Sequence, residues 1–187
     1  MVHCVTERQA WTLREEIDQR LASVGLTLHP EKTKVVYCKD GWRARSSEHT
    51  AFTFLGYTFQ ARGARDRHGK MFTSFLPAIS KDAMKALNRE IRGWRIHQHS
   101  GWTLGQLARW INPIVRGWLQ YYGRFYRSAL YVLCKRINTY LMRWARKKYR
   151  RLHGFHKAHA WWKAVGQRYP RLFAQWEYTR GFLATGW

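Results

Sequence analysis

The clearest pattern in this sequence is a helical repeat of large apolar residues in its second half. Arg136, Arg143, Lys147 and Arg150 lie on the opposite side of the same helix. The pattern predicts an amphipathic helix that ends at Gly154, with one side in a protein core and a ridge of cations on the other. The apolar residues of the repeat are Leu130, Leu133, Ile137, Tyr140, Leu141 and Trp144.

Further helices are predicted on both sides of this one. Ser80 can cap a helix that has an apolar side and a basic face along its whole length. Another helix begins after Gly101, and Asn112-Pro113 marks a break in it or the start of a new helix. A helical stretch from 156 to Tyr169 precedes an aromatic tail. The residues concerned are Ala83, Met84, Leu87 and Ile91 on the apolar side, Lys81, Lys85, Arg89 and Arg92 on the basic face, and Phe173, Trp176 and Tyr178 in the tail.

The first half predicts one helix followed by strands. Thr6-Glu7-Arg8-Gln9 is typical of a capping box, and helix 6–24 is predicted to stop at Gly25. Short strands are predicted at 26–28 and 35–37 around a turn at His29-Pro30, and a loop at 39–49. A strand over 52–59 is interrupted by Gly56, which indicates close backbone approach or a bulge. Gly63 to Gly69 predicts a hairpin with a basic tip. The expected fold class is α+β, with a small N-terminal helix and antiparallel strands followed by a mainly α-helical region.

The charge of the chain indicates a polyanionic partner. Lys and Arg number 34 against 11 Asp and Glu, and residues 91–187 hold 19 basic residues and a single acid, Glu177. The run Arg146-Lys147-Lys148-Tyr149-Arg150-Arg151 has no compensating acid, so its cations repel each other unless phosphates bind. Nucleic acid is therefore the predicted partner. A basic membrane-surface protein is the weaker alternative, because the aromatic residues are dispersed over several elements.

The residues do not form a pattern typical of catalysis or of a metal site. Glu15, Glu16 and Asp18 fit the polar face of a helix, whereas a two-metal enzyme needs clustered carboxylates. His156 and His159 lack neighbouring acidic or Cys ligands. We therefore predict no catalytic residue, no metal site and no cofactor, with Mg²⁺ present only through bound RNA. Three widely spaced cysteines fit a reducing cytoplasm, and no apolar run approaches the length of a membrane span.

Four tryptophans follow each other at intervals of eight residues, namely Trp94, Trp102, Trp110 and Trp118. Eight residues turn a helix about 80° beyond whole revolutions, so these side chains cannot share one helix face. We interpret the spacing as chance.

Several short motifs resemble group II intron reverse transcriptases, in the part that follows their catalytic Tyr-Ala-Asp-Asp motif. Leu21 to Leu26, Pro30-Glu31-Lys32-Thr33 and Phe54-Leu55-Gly56-Tyr57 are similar to the last two reverse-transcriptase blocks of the palm. Helix 80–95 resembles the start of the thumb. Asn112-Pro113, Arg116-Gly117-Trp118 and Tyr121-Tyr122-Gly123 are similar to the core signature of the maturase-specific domain, also called domain X. The resemblance covers roughly residues 3–178.

The resemblance implies a domain organisation and a function. A palm remnant would occupy 1–78, the thumb and maturase-specific domain 79–155, and a helical and aromatic C-terminal extension 156–187. The implied function is binding of group II intron RNA and assistance to its splicing, in which the RNA performs the transesterifications. The cations expected to contact RNA are Lys81, Lys85, Arg89, Arg92, Arg116, Arg124, Arg127, Arg136, Arg143, Arg146, Lys147, Lys148, Arg150 and Arg151.

Two alternatives stay open from the same resemblance. The sequence starts just after the position of the family's catalytic aspartates, so reverse transcription by this chain alone is not expected, and no Cys/His nuclease module follows. The chain could be the rear half of a split reverse transcriptase, an RNA-directed DNA polymerase active only with a partner chain that carries the fingers and palm. It could also be a decayed remnant with unpaired strand edges prone to association.

Overall fold

The computed structural model describes residues 1–42 and 47–179. Residues 43–46 of the predicted loop and residues 180–187 of the predicted C-terminal extension lie outside the described residues. The chain divides into two compact units, which we call the N-terminal unit, Met1–Phe54 with Thr58–Leu76, and the helical unit, Leu55–Tyr57 with Pro77–Trp187. A helix and a three-stranded antiparallel sheet precede a mainly helical region, which confirms the predicted α+β class.

The first helix, α1, spans Glu7–Ala22 and confirms the predicted helix 6–24 with slightly shorter ends. The Thr6 side chain accepts a hydrogen bond from the Gln9 amide, as a cap should, but the Gln9 side chain accepts from the Val5 amide instead of closing the predicted capping box. Gly25 has a φ of 76°, and the amide of Leu26 donates to the Leu21 carbonyl. This left-handed glycine ends the helix in a Schellman arrangement, as the sequence predicts.

The two short strands predicted after α1 are wrong. Residues 26–28 and 35–37 have no strand structure, although Thr33 donates to the His29 carbonyl at 2.9 Å and confirms the turn between them. A strand is defined by a ladder of hydrogen bonds with a neighbour. The amide of Tyr37 donates to the carbonyl of His49, but 35–37 forms no ladder of such bonds with another segment of the described residues.

The sheet has the order β1-β2-β3 and contains two hairpins. Leu55 and Gly56 have φ values of 48° and 78°, which is the type I′ turn of a two-residue hairpin, so the single interrupted strand predicted over 52–59 is wrong. The hairpin predicted between Gly63 and Gly69 is confirmed, because β2 and β3 pair on either side of it. At its tip the Asp66 carboxylate accepts hydrogen bonds from the amides of His68 and Lys70. The strands are β1 at Ala51–Phe54, β2 at Tyr57–Arg65 and β3 at Met71–Ile79.

Among the described residues, the helical unit contains four helices of 13 to 19 residues, a short helical stretch at 176–179, and 3₁₀ turns that connect several of the helices. Ser80 Oγ accepts from the Ala83 amide at 3.1 Å and starts α2, whose Leu87 and Ile91 are buried as predicted. Helix α4 ends six residues before Gly154, contrary to prediction, because Tyr149 is extended and a 3₁₀ turn follows it. The helices are α2 at Lys81–Gly93, α3 at Leu104–Tyr122, α4 at Tyr131–Lys148 and α5 at Phe155–Arg168.

Helix α3 runs without a break through Pro113, so the predicted break at Asn112-Pro113 is wrong. Pro113 is exposed and removes one backbone hydrogen bond, but buried residues before and after it lie on one face of the helix. Their packing holds both halves in line. Thr103 and Gln106 form a reciprocal capping box that fixes the start of α3.

The aromatic tail is part of the core of the helical unit. Phe173 and Trp176 are fully buried with Trp144 and Trp162. The buried Asn112 holds the tail, since its amide donates to the Leu172 carbonyl at 2.9 Å. Among residues 1–42 and 47–179, no helix combines the length and the apolar character needed to cross a membrane.

Candidate nucleic-acid interface

The helical unit carries a large excess of positive charge. Residues 77–179 contain 21 Lys and Arg and only three acids, Asp82, Glu90 and Glu177. Asp82 pairs with Lys85 at 3.5 Å, but both side chains are largely exposed, and such pairs contribute little. The remaining cations therefore create a positive field at the surface, which attracts polyanions.

The predicted ridge of cations lies on α4, opposite its buried face. Arg143 and Lys147 are exposed, and Arg136 and Arg146 are half-buried beside them. The guanidinium of Arg143 lies 5.6 Å from the centre of the Tyr140 ring. Arg136 and Arg143 are about two helical turns, or about 10 Å, apart along the axis. The ridge thus presents several cations in one row, which is the form of surface that a phosphate backbone can follow.

A second set of cations lies on α2. These four residues are all exposed, on the side away from the buried Leu87, and α2 packs against α4 in the same unit. The predicted basic face of this helix is therefore formed, with Asp82 and Glu90 as its acids. The cations are Lys81, Lys85, Arg89 and Arg92.

The second half of α3 and the segment between α3 and α4 add three cations. Arg116 lies exposed on α3, and Arg124 and Arg127 follow the helix. Arg127 stacks on the Tyr178 ring with its guanidinium 4.2 Å from the ring centre, so it also holds the tail. Its charge remains exposed and available to an anion.

Two exposed aromatic residues lie beside Arg124. Tyr121 is 46% exposed and Phe125 56% exposed, although large aromatic rings usually avoid water. Exposed rings next to cations are typical of proteins that bind unpaired bases by stacking. Sequence reasoning selected Tyr121 only as part of a family motif and did not select Phe125, because nothing in their spacing shows that the rings are left uncovered.

Two of the predicted cations donate hydrogen bonds to backbone carbonyls. Lys148 Nζ donates to the carbonyls of Ser100 at 2.9 Å and Trp102 at 2.6 Å, and Arg146 Nε donates to the carbonyl of His153 at 3.0 Å. The two Lys148 bonds join segments that the sequence does not show to be neighbours, whereas the Arg146 bond is local. Of the other three cations of the run, Lys147 is exposed on α4, and Arg150 and Arg151 are exposed in the 3₁₀ turn.

Leu55-Gly56-Tyr57 of one family motif and the motif Tyr121-Tyr122-Gly123 lie about 65 residues apart in sequence. They meet in the helical unit. The Tyr121 hydroxyl donates to the Leu55 carbonyl at 2.8 Å, and the Tyr57 hydroxyl donates to the Tyr121 carbonyl. A Cβ atom at Gly56 would lie 3.0 Å from the hydroxyl oxygen of Tyr122, which confirms the predicted close approach at this glycine. The motif residues thus build a joint between the first hairpin turn and the end of α3.

Burial changes the acidity of three side chains in the helical unit. Burial raises the pKa of Tyr57 and of Tyr122, and the neighbouring Tyr121 raises both further, while Arg124 lowers that of Tyr57. Both phenols therefore stay protonated at neutral pH and can donate hydrogen bonds. Burial also raises the pKa of the Cys134 thiol to about 12, which makes this thiol unreactive.

The other motif residues lie in several places. Pro30, Glu31, Lys32 and Thr33 form a turn in the N-terminal unit, the first three of them exposed. Pro113 and Gly117 are exposed on α3, whereas Asn112 faces the tail.

The four regularly spaced tryptophans form one cluster, which the sequence did not predict. Trp94 at the end of α2 stacks on Trp118 with ring centres 5.4 Å apart and also contacts Trp110. Trp102 contacts Trp110 at 5.6 Å, and His99 packs on Trp102. Trp94 and Trp102 precede α3, whereas Trp110 and Trp118 lie on α3 itself, so the rings meet without sharing one helix face.

The histidines that could suggest a metal site pack on an aromatic ring instead. His156 and His159 both contact Phe155. Within the part of the chain that the structure describes, no three His, Cys, Asp or Glu side chains come together as metal ligands would.

Exposed cations outside the predicted set also occur in the helical unit. They escaped selection because they do not continue one helical ridge, although they lie in the same acid-poor stretch. They are Arg95, Arg109, Lys157, Lys163, Arg168 and Arg171.

Residues 84–164 match the family model described as the group II intron, maturase-specific domain. The match begins in α2, ends in α5 and includes the whole α4 ridge. It supports a group II intron maturase-type domain in this part of the chain. Comparisons with curated proteins and with solved structures give no match.

Proposed function

We propose that the chain is an RNA-binding maturase-type module that binds group II intron RNA and assists its splicing. The observation that carries this proposal is the α4 ridge, which lies inside the segment that matches the maturase-specific domain. RNA is the partner that this family implies. The 14 cations selected from the sequence are the proposed phosphate contacts.

Electrostatics support RNA as the partner. Arg143 and Lys147 are exposed, and no described residue forms an ion pair with either of them. A helix that serves only solubility would mix both signs of charge. Each phosphate contact releases counterions, so about six contacts would lower the affinity about a thousandfold between 50 and 200 mM salt.

In this proposal the protein binds and orders the RNA, and the RNA performs the transesterifications. Cations on α2 and α4 would contact phosphates of folded RNA, while Tyr121 and Phe125 would stack on unpaired bases. Magnesium would enter only with the RNA.

The test is a pair of double charge reversals on the purified chain. Arg143→Glu with Lys147→Glu changes the ridge, and Lys157→Glu with Lys163→Glu makes the same change of net charge on α5. Binding to a structured group II intron RNA is measured by filter retention between 50 and 300 mM salt. The ridge variant is expected to bind much more weakly and to lower the salt slope by about 2.

The control variant is expected to change the affinity much less. Equal losses in both variants would show that only the total charge matters and not the ridge. A wild-type chain that does not bind the RNA at low salt would refute the proposed function. A splicing assay with the same RNA at low magnesium then tests the assistance to splicing.

The exposure of α1 favours a second candidate function, the rear half of a split reverse transcriptase. This helix buries none of its residues, and Ile17 on the helix and Val24 just after it are exposed. A further protein surface could cover them. Primer extension is measured with the chain, a separate fingers-and-palm protein of this family, and both together. Activity only in the mixture would establish the candidate, and no gain on mixing would refute it.

A further inference from the structure

Arg95 has a backbone conformation that an arginine rarely adopts. It follows the end of α2 with a φ of 45° and a ψ of 41°, in the left-handed region. Glycine is the usual residue at such helix ends, because any Cβ atom makes this conformation unfavourable. Arg95 is nevertheless exposed, so no packing of its side chain offsets the strain.

The segment that follows, which we call the 95–100 loop, is held firmly at its backbone. Ile96 is fully buried, and Trp144 Nε1 donates to the carbonyl of His99 at 2.8 Å. Lys148 Nζ donates to the carbonyl of Ser100. Because buried and backbone groups hold the loop, its exposed side chains are presented from a fixed base.

The exposed side chains of the 95–100 loop are all polar or cationic. Arg95, His97, Gln98 and Ser100 are exposed, and the sequence has no acid between Glu90 and Glu177. The guanidinium offers five N–H donors in a planar arrangement that suits phosphate. A fixed loop with these donors and no carboxylate is suited to an anion.

We propose that the 95–100 loop is a phosphate-contacting element for RNA, with Arg95 as its main contact. The proposal rests on the proposed function, since it names a further part of the same interface. The proposal also gives a reason for the left-handed backbone of Arg95. The guanidinium would contact phosphate, whereas a glycine at this position would have no side chain to do so.

The test is Arg95→Gly, because folding and binding are expected to respond in opposite directions. Glycine relieves the left-handed backbone, so the thermal midpoint of unfolding should stay equal or rise. The affinity for structured group II intron RNA should fall on the order of tenfold, and the salt slope should fall by about 1. Lys163→Gln removes one exposed cation from α5 and serves as the control, with a smaller loss.

Arg95→Lys is the second variant, which keeps the charge and the strain but not the planar donors. It should bind between the wild type and Arg95→Gly. Wild-type affinity in Arg95→Gly would overturn the proposal for the loop, as would a lower thermal midpoint, which would assign Arg95 to folding. Either result leaves the proposed function intact if the wild type binds RNA, whereas a wild type that does not bind refutes the proposed function itself.

Discussion

Replacement of Asn138 by alanine should strongly destabilise the helical unit. Asn138 lies fully buried on α4, and its Oδ1 accepts from Gln175 Nε2 at 3.1 Å and from Trp176 Nε1 at 3.2 Å. Its Nδ2 donates to Thr179 Oγ1 at 3.3 Å. One side chain therefore satisfies polar groups on three residues of the tail.

The size of the effect follows from the groups left without partners. Alanine removes the acceptor for two buried N–H groups, those of Gln175 and Trp176. A buried donor without a partner costs about 1 to 3 kcal/mol, so Asn138→Ala should lower the free energy of unfolding by about 2 to 6 kcal/mol. Thr179 keeps its own bond to the Gln175 carbonyl and adds little to this cost.

Urea titration followed by far-UV circular dichroism measures this change. Asn88→Ala is the matched control, because Asn88 Oδ1 is buried without a hydrogen-bond partner among the described residues. Its removal should leave the stability equal or slightly higher. If Asn138→Ala unfolded within about 0.5 kcal/mol of the wild type, the assignment of the tail to the core through Asn138 would be refuted.

Three further predictions concern other contacts. Gly56→Ala places a Cβ atom against Tyr122 at a φ of 78°, and this should lower the free energy of unfolding by about 1 to 3 kcal/mol, measured by urea titration. Gly69→Ala is the control, because Gly69 has a φ of 83° but lies in open space, and this change should cost less. Lys148→Met removes the hydrogen bonds to the Ser100 and Trp102 carbonyls and should lower the free energy of unfolding. The loss should be limited to about 1 to 2 kcal/mol, because the ammonium is partly exposed. An unchanged free energy of unfolding would contradict the structural role of Lys148. Burial raises the pKa of the Cys134 thiol to about 12, so this thiol should resist a thiol reagent at pH 8 until urea unfolds the chain. Rapid labelling of Cys134 in the folded protein would contradict its burial.

The helices of the second half could be predicted because their signals are local. The period around Leu133 and Ile137, and the cap at Ser80, depend on residues within a few turns. The α4 ridge follows from the same period. The strands predicted at 26–28 and 35–37 were wrong, because a strand needs a neighbour that local sequence does not specify.

The sequence by itself determined the excess of cations and the helices that carry them, since charge and periodicity are properties of neighbouring residues. Tertiary structure alone decided that Lys148 binds loop carbonyls, that four tryptophans meet in one cluster, and that α3 continues through Pro113. It also decided that Arg95 adopts a left-handed conformation. These features depend on contacts between residues far apart in the chain, and such contacts form only when the packed elements bring them together.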